Sequence, residues 1–341
     1  IVQLVEDGPG WDEVFAVKTR EKDILIRPDL NKLNLYNHSF IPLDKLRASD
    51  SGSVAGPKAA NLAELKHHFP EAVTDGLVIP FGLFRALLDQ EIEPGGPPAF
   101  IWMQEQYDRI ASLKENPSKQ DQIVRQFLQR LRDWIIKANP GDDFRDRLRM
   151  AMTEVFGPDG TYGVFVRSDT NVEDLPGFTG AGLNLTVANV VGFDNVMASI
   201  SRVWASPFTE RAYRWRQSYM ATPEHVYASV LLLKSVPADK SGVMVTADID
   251  TGQPGWLTIA VNEGVGGAVS GQTAEELKVN LENGRVRLMA HAAEPQKRVL
   301  LPQGGMIKIE ASGTEAVLNR REINLLIQFA ESVPDLSLIH I

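Results

Sequence analysis

Cysteine is absent from the 341 residues, which removes disulfides, thiolate zinc sites and thiol nucleophiles together and fits a cytoplasmic protein. Long apolar runs are missing too. Crossing a bilayer takes roughly 20 apolar residues, whereas runs such as Val230 to Leu233 are only strand-length, so no membrane partner is expected. Basic residues are outnumbered: 35 Lys and Arg face 44 Asp and Glu, for a formal charge of −9. A nucleic-acid partner, which needs a basic face, is therefore not expected, although a local basic pocket for a phosphorylated small molecule stays open. The six histidines lack the mutual spacing of metal ligands. The opening I-V-Q-L-V-E-D-G has neither a basic start nor an apolar core, so no signal peptide is expected. Without an initiator Met, the chain reads as a piece of a longer protein.

What remains is a globular balance, 43% hydrophobic and 23% charged, over a length that allows two or three packed units. Residues 1–48 are mixed and read as an extension or the edge of a preceding domain. Gly56-Pro57 then supplies a helix start, and Ala59, Leu62, Leu65 and Phe69 recur at helical spacing. After a Pro/Gly cluster at 94–98, helices are expected near 99–113, 118–138 and 143–156, together a helical insertion of about 95–156. Tyr162, Val164 and Val166 alternate as a strand that runs into Arg167. A polar loop from Ser168 to Gly182 and a strand to Val191 follow. A long helix over 193–219 should kink or break at Pro207. Beyond Pro223 short strands are expected at 226–233, 242–247, 256–262, 285–289 and 305–309, then a helix at 315–331. The fold class is α+β, with a helical unit over 49–222 and a strand-rich unit over 223–341 flanking a ligand cleft.

Two constellations carry chemistry. Lys58 at a helix N-terminus puts a cation beside unpaired backbone amides, a natural phosphate cradle; the alternative is a solvated Lys in a first helical turn. Arg167 ends a buried strand beside a polar loop, where a guanidinium can hold a phosphate bidentately. The alternative there is a strand-end salt bridge, and the carboxylates of Glu173 and Asp174 are available either for a cation or for Arg167. The arginines from Arg211 to Arg216 could recruit an anion, but read more readily as the solvated face of the long helix.

These segments resemble one family. V-R-S-x-x-x-x-E-D-L-P at Val166 to Pro176, T-V-x-N-V at Thr186 to Val190, the helix Trp204 to Arg214 and S-G-V-M-V-T-A-D-I-D-T-G at Ser241 to Gly252 are similar to signatures of the phosphoenolpyruvate synthase and pyruvate phosphate dikinase family. Gly56-x-Lys58-x-x-x-Leu62 falls where that family has its G-x-K-x-x-x-L helix start. The resemblance spans about residues 56 to 280. It implies an ATP-grasp architecture closing on ATP and Mg2+, with the phosphoryl group passed first to a His on a separate domain and then to pyruvate on another. By carry-over, Lys58 and Arg167 are the catalytic and phosphate-binding candidates, lining one side of the cleft within about 15 Å of each other, the reach of two long side chains around one anion. Ser168, Lys234 and Glu263 are the further nucleotide-binding candidates; no metal ligand is assigned.

The departures point the other way. Leu233 stands where the family carries a Gln beside adenine, and Gly267 stands where it carries a Glu. Leu183 and Leu185 replace the usual Gln and an acidic residue, and the closing D-I-E-W and Q-x-R-P elements are not found. Three readings follow: an ATP-dependent phosphotransferase domain, a non-catalytic nucleotide-sensing or scaffolding relative, or a kinase with another acceptor, as in rifampicin phosphotransferases and glucan water dikinases. Without the acceptor domains, this chain alone is not expected to make phosphoenolpyruvate.

Overall fold

Strand β5, Ala228–Lys234, buries all of its first five residues, so it needs cover on both faces and a neighbour on each edge. It receives both. In the computed structural model, which describes residues 26–173, 185–268, 272–313 and 316–333, β5 lies at the centre of a five-stranded antiparallel sheet. The order is β1 (Ile41–Pro42), β2 (Gly76–Ile79), β5, β3 (Gly163–Thr170) and β4 (Thr186–Val191). This sheet reaches past the boundary expected at residue 222, because β5 pairs with β2 on one side and β3 on the other.

Helix α1, Pro57–His68, covers one face. Ala59, Ala60 and Ala63 pack against Val78 and Leu231, and their small side chains let the helix lie close to the sheet. The other face meets helices α2 (Phe81–Leu88), α3 (Ala99–Ala111), α4 (Pro117–Lys137), α5 (Asp142–Phe156) and α6 (Phe193–Ala205) in one apolar cluster. The helical stretch expected as an insertion thus contributes to the main core. Trp204, almost wholly buried, sits 5.8 Å from the rings of both Phe84 and Phe144. The break at Pro207 is a 3-10 turn, Ser206–Phe208, followed by α7, Glu210–Tyr219, whose N-cap is Thr209. Arg211 and Arg214 are exposed as expected. Arg216 is not: it is buried and donates to the Pro207 carbonyl, bracing the turn.

The second unit is a four-stranded antiparallel sheet of β6 (Lys240–Val245), β7 (Trp256–Glu263), β8 (Glu275–Asn280) and β9 (Val286–Ala290). Leu257, Ile259, Val261, Leu277 and Val279 meet Ile323 and Ala330 of α8, Arg320–Ser332. Asn319 and Glu322 form the capping box that starts α8, later than the expected residue 315. A hairpin of β10 (Gln296–Leu300) and β11 (Met306–Glu310) completes this unit.

The hairpin also fastens the two units together. The β3–β4 register shifts between Val164 and Val166, and within that bulge Asn189 adopts a left-handed backbone, φ 48°. Its amide donates to the carbonyls of Leu301 and Gly305 at 2.8 Å each, and the Gly305 amide donates to the Asn189 carbonyl at 2.7 Å.

Candidate functional site

Helix α1 begins without a local cap. Its N-cap residue is Gly56, which has no side chain to accept the first-turn amides, and Pro57 follows. The acceptor comes instead from β3. The Asp169 carboxylate takes the Lys58 amide at 2.9 Å and the Ala59 amide at 3.0 Å. Gly56 must be glycine for this approach, since a Cβ there would lie 2.3 Å from Asp169 Oδ1. From β5, the Ser229 hydroxyl accepts from the Gly56 amide at 3.1 Å and donates to the Asp169 carbonyl at 2.6 Å. The unpaired amides expected beside Lys58 are therefore partly taken: two of them already hold a carboxylate.

The Lys58 side chain turns to the same carboxylate-rich corner. Its ammonium pairs with the Glu173 carboxylate and donates to the Ser168 carbonyl at 3.3 Å. The Lys58 side chain remains 33% exposed, whereas that of Glu173 is 2% exposed, so one end of this pair can reach solvent. Burial pushes the Glu173 carboxyl up to about 7, with the charge of Lys58 pulling against it. Burial raises the Asp169 carboxyl as well, again opposed by Lys58 and by the two amides.

Arg167 shares this side of the sheet. It stands opposite Leu231, which packs against α1, and cross-strand neighbours project to the same face. Asp169, two residues on, confirms that face by its contact with α1. The Lys58 ammonium thus lies under about 10 Å from the Arg167 Cα, adding standard backbone lengths to its contact with Ser168. The guanidinium of Arg167, half-buried, makes no hydrogen bond or ion pair among the described residues. Glu173, available by sequence for Arg167, engages Lys58 instead; Asp174, Leu183 and the rest of 174–184 lie outside the described residues.

The other candidates separate from this pair. Ser168 stands opposite Val230 and Lys234 opposite Val164, both residues of the helix-covered core, so their side chains leave the sheet on the face away from α1. Only the carbonyl of Ser168 reaches Lys58. The reason is the two-residue period of a strand: adjacency to Arg167 in sequence puts Ser168 on the opposite side. Leu233, at the position of the family's Gln, packs against the α1 cluster. Glu263 belongs to the second unit, where it accepts from the Lys297 ammonium at 2.9 Å and from the Ser312 amide and hydroxyl. The Ser312 hydroxyl and Lys297 hold its carboxyl below the ordinary value. It borders a cavity of about 410 Å3 whose walls include Lys240, Lys297 and Asn319 but neither Lys58 nor Arg167. Gly267 could not carry a Glu in this packing, because a Cβ would lie 2.5 Å from Gln272 Oε1 and 2.6 Å from the Asn262 Cβ.

Sequence reasoning missed Asp169 and Ser229. A signal was present in the helix start itself: a Gly at the N-cap position leaves first-turn amides that some distant acceptor has to satisfy.

The arrangement is a part-exposed lysine and an arginine without a partner among the described residues on one sheet face, beside buried acids, suited to hold an anion with side-chain cations. Residues 52–335 match the model of the family described as pyruvate phosphate dikinase, AMP/ATP-binding domain. The chain is 29% identical to a rifampicin phosphotransferase of a Streptomyces species over 267 residues, 78% of this chain and 29% of that protein. It is 30% identical to a probable phosphoenolpyruvate synthase of Archaeoglobus fulgidus over 289 residues, 83% of this chain and 36% of that protein. It therefore spans well under half the length of these relatives. With most of its residues under that model, the chain belongs to the pyruvate phosphate dikinase AMP/ATP-binding domain family.

Proposed function

We propose that this chain is the ATP-binding part of a phosphotransferase, an ATP-grasp domain in which Lys58 and Arg167 grip the nucleotide's phosphates in a cleft between the two units. The observation that carries the reading is Arg167: a half-buried guanidinium without a partner among the described residues, on the same sheet face as the Lys58 ammonium. Positioning and charge neutralisation are most of what phosphoryl transfer asks of a protein. Mg2+ would come with the nucleotide, since it is usually held by substrate phosphates and one or two carboxylates. Among the described residues no group of three or more His, Cys, Asp or Glu is placed to cage a metal. In the parent protein, in the cytoplasm, the phosphoryl group would pass to a His on another domain and from there to pyruvate or another acceptor.

Titration calorimetry with MgATP, MgADP and AMP tests this. Arg167→Ala should weaken MgATP binding by about 1.5–3 kcal/mol, the range for hydrogen bonds to charged groups. Equal affinity in both proteins would make Arg167 structural and remove the site.

A second reading, a nucleotide-sensing or scaffolding relative, draws on two departures. Leu233 is committed to the α1 cluster, and the packing at Gly267 excludes a Glu. The readings part on chemistry: the second predicts MgATP binding with no phosphoryl transfer to a His domain supplied in trans.

A further inference from the structure

We propose that Asp169 positions Lys58 for phosphate, acting through the first turn of α1 and not by touching the nucleotide. The proposal deepens the reading of this face as a nucleotide-phosphate site and rests on it. Where a helix N-terminus binds phosphate, its free amides point at the anion. Here the Lys58 and Ala59 amides point at the protein's own carboxylate, supplied from 110 residues further along the chain. That carboxylate sits on β3 two residues after Arg167, so one side chain ties the lysine's backbone to the arginine's strand. Ser229 of β5 closes the tie by bonding both Gly56 and Asp169. Asp169 is fully buried, and the glycine at 56 is what lets the helix approach it this closely.

Two consequences follow for an incoming triphosphate. The helix end carries a built-in anion, so the phosphates are directed to the side chains of Lys58 and Arg167. The spacing of those cations is set by the rigid connection through Asp169, so losing that connection lets Lys58 drift and weakens its grip alone.

The test is a double-mutant cycle on the whole chain, read by MgATP titration calorimetry with thermal unfolding recorded alongside. Asp169→Asn should weaken MgATP binding roughly tenfold, within the span of coupling between neighbours. In a Lys58→Ala background the same change should cost less than about twofold, because the residue through which it acts is gone. An equal loss in both backgrounds would show general disruption and overturn the proposal. Should Asp169→Asn fail to fold, Ser229→Ala decides in the same way, with a smaller loss that again vanishes without Lys58. If Lys58→Ala weakens binding while Asp169→Asn and Ser229→Ala do not, the positioning role falls and the nucleotide site stands. If the native chain binds no MgATP, or Lys58→Ala leaves binding unchanged, the nucleotide reading itself falls.

Discussion

The two units arrange their ion pairs differently. In the strand-rich unit, Lys278 meets Asp248 at 2.9 Å and Asp250 at 2.5 Å, Lys240 meets Glu322 at 2.7 Å, and Lys297 meets Glu263 at 2.9 Å. Each of these cations has its carboxylate, whereas the half-buried Arg298 of β10 has no side-chain partner among the described residues. The first unit concentrates Asp169, Glu173, Lys58 and Arg167 at one corner of its sheet and leaves the arginine unmatched among the described residues. That leftover cation beside buried acids is what the proposed phosphate site rests on. The same contrast runs through the apolar packing. β2 is buried along its whole length between α1 and the helical layer, whereas β9 keeps Leu288 and Met289 exposed.

Trp204→Ala should cost about 3–5 kcal/mol in urea denaturation, the usual loss for a large aromatic removed from a packed core. A loss under about 1 kcal/mol would mean that the aromatic cluster around Phe84 and Phe144 does not carry the first unit's stability. Asn189→Ala probes the fastening between the units. It removes the side-chain donor shared by the Leu301 and Gly305 carbonyls, each of which keeps one backbone amide, and should cost about 1–3 kcal/mol, the net worth of two hydrogen bonds. Limited proteolysis across 301–305 should speed up in step; unchanged cleavage and unchanged stability would make the clasp incidental.

The smallest expected effect is one of pH. Glu173 is raised from 4.5 to about 7 by burial, so the folded state keeps a proton that the unfolded state has released. Stability from this group therefore declines as pH rises from 4.5 to 7 and is level above that. Glu173→Gln cannot titrate, and its thermal midpoint should fall less steeply across that window. Parallel slopes for the two proteins would show that Glu173 does not ionise there.

Much of the architecture was legible in order along the chain. Gly56-Pro57 marked the start of α1, alternation marked β3 up to Arg167, and Pro207 marked the break between α6 and α7. Facing was harder to read. Ser168 and Lys234 looked like neighbours of the phosphate corner because they are adjacent to it in sequence or motif, yet the pleat turns both to the other side. β5 read as part of the strand-rich half because it follows Pro223, whereas its apolar faces commit it to the first sheet. The Asp169 tie joins residues 110 apart, a relation that no local period encodes.

The central place of β5 has a consequence for synthesis. Among the described strands of the first sheet, β1, β2, β3 and β4 all precede it in the chain, yet β2 and β3 meet only through it. Until residue 234 has left the ribosome, the sheet exists as two halves, each with an inner apolar edge whose amides and carbonyls face nothing. Such edges are templates for pairing with another chain. A nascent chain halted between Val191 and Lys234 therefore leaves both of those edges open at once.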